Sequence, residues 1–120
     1  IIACGSMVAG ALEAADLLKL QGITSRVLNL HTLHPADEKA IEKAARETGA
    51  LVTAEEHYIH GGMGSIVAGI VTRSHPVPVE FVSVTRYAES GRSEELLEKY
   101  GLTATHIAEA AHRALARKTG

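Results

Sequence analysis

Glu55, Glu56 and His57 stand together at the end of an apolar run, and Gly61, Gly62 and Gly64 follow within the stretch EEHYIHGGMGS that closes at Ser65. Two carboxylates and an imidazole beside a glycine-rich turn suit three kinds of chemistry. Backbone N–H groups near Gly64 and Ser65 open a helix and could hold an anion. Against that, neither GxGxxG nor GxxxxGK[ST] occurs, and the neighbouring Glu55 and Glu56 repel anions. A divalent metal is the second possibility, because His31 and His34 repeat the spacing of His57 and His60 in loops expected at the same edge of the fold. No HExxH accompanies them, and loop histidines commonly serve as solvated hydrogen-bonding groups. Third, Ser6 or Ser65 with His57 would pair a nucleophile with a base, yet neither serine lies in GxSxG and a helix start gives each a capping role. The plainer reading makes the glycines a close-packing turn at a helix start or interface, with Glu55, Glu56 and His57 as structural or interface polar groups.

Those residues need elements to position them. Ile1 to Cys4 is a continuous apolar run, Gly5 and Ser6 turn the chain, and Val8, Ala11, Leu12, Ala15 and Leu18 follow at helical spacing. Ser6 is expected to cap that helix and Gly22 to supply its left-handed stop. A second strand is expected over Ser25 to Leu30, with Val27, Leu28 and Leu30 suited to burial on both faces. After a loop at His31 to Pro35, Asp37 starts a second helix with Ala40, Ile41, Ala44 and Ala45 inward; Glu42 with Arg46 and Lys43 with Glu47 pair outward, and Gly49 stops it. Strand three is expected from Ala50 to about Glu55. The third helix carries Ile66, Val67, Ile70 and Val71 and has only Arg73 as a charge, a pattern that predicts partial burial in a subunit contact.

Val79 to Val84 reads as strand four, and Thr85 to Arg92 as a polar turn. Ser93 is expected to cap a short helix, with Glu94 and Glu95 in its first turn, that ends at Gly101. Thr103 caps the last helix, whose buried stripe is Ile107, Ala110, Ala111, Ala114 and Leu115. Strands alternating with helices predict parallel βαβ units with helices on both faces, a three-layer α/β/α fold without an internal boundary. In such sheets ligands sit outside the carboxyl ends of the strands, where Gly5 to Met7, His31 to Pro35 and Glu56 to Ser65 compete for the edge.

The 120 residues suit one domain able to bury a real core. A formal net charge of -2 with dispersed basic residues gives no footprint for nucleic acid or an anionic membrane. Cys4 is the single cysteine, which rules out an intrachain disulfide and favours a reducing compartment; a small buried apolar role suits it better than a reactive thiol. No apolar run approaches the ~18 to 20 residues that span a bilayer, and no leader pattern opens the sequence, so a soluble cytoplasmic protein is expected. Beginning at Ile1 inside an apolar strand, the sequence reads as a piece of a longer chain.

Three segments, NLHTLHPAD, ETGALVTAEEHYIHGGMGS and SGRSEELLEKYGLT, together resemble the C-terminal domain of transketolase, nearest to transketolases split into two polypeptides. The resemblance covers nearly the whole chain. It implies an enzyme that uses thiamine diphosphate and Mg²⁺ to move two-carbon ketol units between sugar phosphates, as in the pentose phosphate pathway. It also implies that the cofactor is held by two preceding domains, with none bound by this one. Residues 1 to 120 are therefore expected to form a noncatalytic assembly domain, inactive in isolation, within a dimer or larger homo-oligomer. Their partners would be the remaining transketolase domains or an N-terminal subunit.

Strand order 2-1-3-4 follows from the same resemblance, as does an antiparallel strand before the first, which this sequence lacks. Its absence predicts an exposed edge beside strand two and self-association. The chain departs from the family pattern in TRYAESG, where relatives usually have a phenylalanine and glycine before Glu-Ser-Gly, and at His34, which replaces a common lysine. One alternative is a regulatory ligand in the crevice between strands one and three, lined by Gly5, Ser6, His57, Gly61 and Gly62. Related domains also occur in 1-deoxyxylulose-5-phosphate synthase and in the beta subunits of 2-oxo acid dehydrogenases.

Overall fold

The computed structural model describes residues 1–30, 36–58, 62–84 and 102–118, with the backbone alone at 57, 58 and 84. Its strands are β1 (Ile2–Ala3), β2 (Leu28–Asn29), β3 (Leu51–Tyr58) and β4 (Val79–Val84). Its helices are α1 (Met7–Leu20), α2 (Glu38–Thr48), α3 (Met63–Ser74) and α4 (Ala104–Arg117). The strands form one parallel sheet in the order β2-β1-β3-β4. Ile2 is in register with Leu28 on one side and with Thr53 on the other. The order is the one the resemblance implied.

Alternate strand residues point to opposite faces, and the core divides accordingly. Ala3, Val52, Ala54 and Val82 pack beneath α1 and α4 with Met7, Leu18, Ile107 and Ala110. Ile2 and Leu51 pack beneath α2 and α3 with Ile41, Met63, Val67 and Val71. The three layers are thus two helix pairs on the two faces of one sheet. Small residues fill many of the buried helical positions: Ala11 and Ala14 on α1, Ala44 and Ala45 on α2, Ala110 and Ala114 on α4 are all buried.

Local signals set several helix ends. Gly22, at φ 81, closes α1 in a Schellman arrangement in which its N–H donates to the Lys19 carbonyl and the Ile23 N–H donates to that of Leu18. The Asp37 carboxylate accepts the Ala40 N–H at 3.0 Å, and Gly49, at φ 75, stops α2. The Glu42–Arg46 and Lys43–Glu47 pairs form on the outer face of α2. Thr103 accepts the His106 N–H at 3.4 Å and starts α4.

Four expectations need correction. Ser6 occupies the position before α1 but makes no capping bond, because the Met7 and Val8 N–H groups donate to the carbonyls of Cys4 and Gly5. Regular pairing of β2 covers only Leu28–Asn29 rather than Ser25 to Leu30, since β1 presents only two paired residues to it. Val27 and Leu28 still reach the two opposite cores. β3 continues three residues beyond Glu55, to Tyr58. Leu115 is 37% exposed, because it lines a cleft instead of the core.

The expected loop at His31 to Pro35 and the turn and short helix expected between Thr85 and Gly101 lie outside the described residues. Among the described residues, no helix is long and apolar enough to cross a membrane.

Candidate functional site

Alternation along β3 turns Leu51, Thr53 and Glu55 toward the α3 face of the sheet. Glu55 is 1% exposed. Its Oε1 accepts the Met63 N–H at 2.9 Å and its Oε2 accepts the Gly64 N–H at 2.7 Å. The reason is local to α3. Gly62 precedes the helix in an extended conformation and has no side chain with which to cap it. The first N–H groups of any helix lack intrahelical acceptors, and the helix dipole makes that end positive. A buried carboxylate in turn needs donors, since leaving one unpaired costs several kcal/mol. Each deficit is met by the other, through two charge-assisted bonds worth about 1.5 to 3 kcal/mol apiece.

Gly64 lets the helix start approach the sheet this closely. A Cβ at Gly64 would stand 3.0 Å from the Thr53 Oγ1 and 3.5 Å from the Phe81 ring. The constraint is space, because its φ is not positive. Gly5 presents the opposite case: nothing crowds it, and its φ of 58 is what requires glycine. Thr53 is fully buried and its hydroxyl has no hydrogen-bond partner.

The remaining sequence candidates among the described residues lie around the carboxyl edge of β1 and β3. Gly5 and Ser6 are exposed on the turn that leads to α1, whereas Gly62 and Gly64 lead to α3 on the opposite face. The reversal of connections, and hence the crevice, falls between β1 and β3. Cys4 lies beside Glu55 across that boundary, its N–H donating to the Ala54 carbonyl at 3.4 Å. Burial, and then the charge of Glu55, push its thiol up from its ordinary value, so it is a protonated thiol at neutral pH. Glu56 is half-buried and alternates toward the α1 face.

The His57 backbone lies in β3, while its side chain and the whole of Gly61, His31, His34 and His60 fall outside the described residues. Among the described residues, no group of three or more His, Cys, Asp or Glu is arranged to hold a metal. Ser6 and Ser65 are exposed, at helix starts on opposite faces of the sheet.

A diphosphate does not fit the start of α3. The two N–H groups that would receive it already bind the Glu55 carboxylate, which would also repel it. Sequence reasoning treated Glu55 as a charge near the helix start; in the structure it is the anion at that start. It passed over Thr53, although a period of two counted back from Glu55 places Thr53 on the same face. It also passed over a cleft of about 300 Å³ at the opposite, amino edge of the strands, between Leu18, Ser25, Arg26, Glu47 and Lys118. Four separate segments contribute to that cleft, so no local motif marks it.

The family described as the C-terminal domain of transketolase matches residues 1–107. The chain is 47% identical over 119 residues to a 6-deoxy-6-sulfo-D-fructose transketolase subunit of Clostridium sp. (strain MSTE9), covering 98% of this chain and 37% of that protein. It is 41% identical over 113 residues to the 1-deoxy-D-xylulose-5-phosphate synthase of Heliobacterium modesticaldum, with coverage of 92% and 18%. Among solved structures, a split-gene transketolase described as an inactive beta4 tetramer superimposes with a TM-score of 0.95 at 44% identity, with coverage of 98% and 39%. The chain spans less than half the length of each of these relatives.

Proposed function

This chain belongs to the transketolase C-terminal domain family, and on that premise we propose that it is the noncatalytic assembly domain of a split transketolase. The complete enzyme would use thiamine diphosphate and Mg²⁺ to transfer two-carbon ketol units between sugar phosphates, in the cytoplasm. Residues 1 to 120 would form one domain of a longer polypeptide, associating with its own copies and with an N-terminal subunit that carries the cofactor.

The observation that carries this reading is the Glu55 carboxylate seated on the Met63 and Gly64 N–H groups. It turns the most ligand-like feature of the sequence into a structural brace for α3. The outer side of α3 supports the assembly half of the reading. Ser65 and Thr72 are exposed and Ile66, Ala68 and Gly69 only partly covered, a low-relief face with Arg73 alone as its charge. The relative that this chain matches at 47% identity is named as a transketolase subunit, and the solved structure at 44% as a tetramer.

Isothermal titration of thiamine diphosphate with MgCl₂ into the chain tests the cofactor half. The expected result is no saturable heat; stoichiometric binding would overturn the noncatalytic reading. A second reading, the C-terminal domain of a 1-deoxyxylulose-5-phosphate synthase, rests on the 41% identical relative of that name. The reading frame immediately upstream separates the two: a split enzyme requires a separate N-terminal subunit.

A further inference from the structure

The first turn of α3 has the properties of an anion site that the chain has filled from within. Met63 and Gly64 each point an N–H at one oxygen of the same carboxylate, at 2.9 and 2.7 Å, in the two-pronged manner in which a free carboxylate is bound. The site is dry: Glu55 is 1% exposed, and Met63 and Gly64 are buried. A third polar group faces the same turn. The Thr53 hydroxyl is fully buried without a partner and stands 3.0 Å from where a Gly64 Cβ would be. Gly62 brings no side chain that could substitute as a cap.

We infer that Glu55 is a built-in anion, and that removing its carboxylate turns the start of α3 into a binding site for a small monocarboxylate. The size of the ligand follows from the change itself. Glu55→Ala deletes CH₂–COO⁻, the atoms of an acetate ion apart from one hydrogen. Acetate placed in the resulting cavity restores both acceptors and the negative charge at the positive end of the helix. A neutral molecule of the same shape restores the volume and one acceptor while setting an amide N–H₂ against a backbone N–H. The site would therefore prefer acetate to acetamide.

This inference goes beyond the assembly reading and does not depend on it, because its readout is ligand-dependent stability and not association. Thermal unfolding of the wild-type chain, Glu55→Ala and Glu55→Gln is followed in chloride, acetate and acetamide at matched ionic strength. In chloride, Glu55→Ala is expected to melt about 12 to 24 °C below wild type, from loss of two charge-assisted hydrogen bonds in a chain of this size. Acetate is expected to recover about half of that shift saturably, acetamide to recover little, and wild type to respond to neither. Glu55→Gln, which fills the volume with an amide, is expected to melt below wild type and to ignore acetate. The inference is overturned if Glu55→Ala responds equally to acetate and acetamide, stays unfolded in acetate as in chloride, or melts with wild type. Glu55→Gln as stable as wild type overturns it independently, since a neutral amide would then serve as well as the anion.

Discussion

Replacing Gly64 by alanine sets two effects of opposite sign against each other, and the contacts decide which wins. Alanine in place of glycine inside a helix is worth at most about 1 kcal/mol. The added methyl would lie 3.0 Å from the Thr53 Oγ1, inside ordinary contact distance, and 3.5 Å from the Phe81 ring, an ordinary van der Waals contact. Overpacking a dense core costs about 1 to 3 kcal/mol, so Gly64→Ala is expected to destabilise the chain by about 1 kcal/mol, or about 4 °C in melting temperature. Gly64→Val adds two further carbons and takes the loss to about 3 kcal/mol, near the top of that range.

The Thr53 hydroxyl is the atom responsible, and this makes the reasoning open to refutation. In a Thr53→Ala background the close contact is gone while the helix preference remains. Gly64→Ala should then stabilise by a few tenths of a kcal/mol, reversing its sign, with a coupling of about 1.5 kcal/mol across the double-mutant cycle. Urea denaturation followed by circular dichroism on the four proteins measures it. The effect of Thr53→Ala itself, a cavity against the removal of an unpartnered hydroxyl, cancels in the cycle. Gly64→Ala that is neutral or stabilising in both backgrounds would show that the helix start does not approach the sheet as described.

Two further expectations concern the supports of the fold. Asp37→Ala removes the acceptor that caps α2 and should lower the urea midpoint by an amount equal to about 1 kcal/mol. Glu80 receives Arg113 and Arg117 from α4. Burial acts to raise its carboxyl, but the hydrogen bonds from the two arginines outweigh this and hold it below the ordinary 4.5. A carboxyl so held stabilises the folded state above pH 4.5 and loses that contribution as pH falls through its folded value. Both arginines are more than half exposed, which keeps the pair interactions to about 1 kcal/mol in all. Glu80→Gln should therefore be less stable than wild type by about that much at pH 7, and the difference should close as pH falls below 4.5 in parallel denaturation curves.

Features governed by neighbouring residues were legible in the sequence. Gly22 and Gly49 stop helices, and Asp37 and Thr103 start them, because each acts on backbone groups within a turn of itself. The stripes of α2 and α4 followed from spacing, and the strand order from resemblance to a known family. Features governed by a distant partner were not. β3 was expected to end at about Glu55, where charge begins, because the sequence does not show that two N–H groups eight and nine residues later receive that charge. The sequence predicts a longer β2, because its extent depends on how much backbone β1 offers. Ser6 looked like a cap because carbonyl acceptors supplied by a turn leave no trace in residue type. Leu115 continues the α4 stripe in phase, but the phase of a helix does not show that distant segments leave a cleft beside it. Arg26 reaching Glu47 at 2.5 Å, from the α1–β2 connection to α2, belongs to the same class of long-range contact.

The assembly role rests on two surfaces: the low-relief outer side of α3 and the edge that β2 presents at one side of the sheet formed by the described strands. Sedimentation velocity of the chain over a wide range of concentration tests it most directly. Self-association that grows with concentration, shown by a rising weight-average sedimentation coefficient, is the predicted result. A single monomeric boundary at every concentration would contradict it.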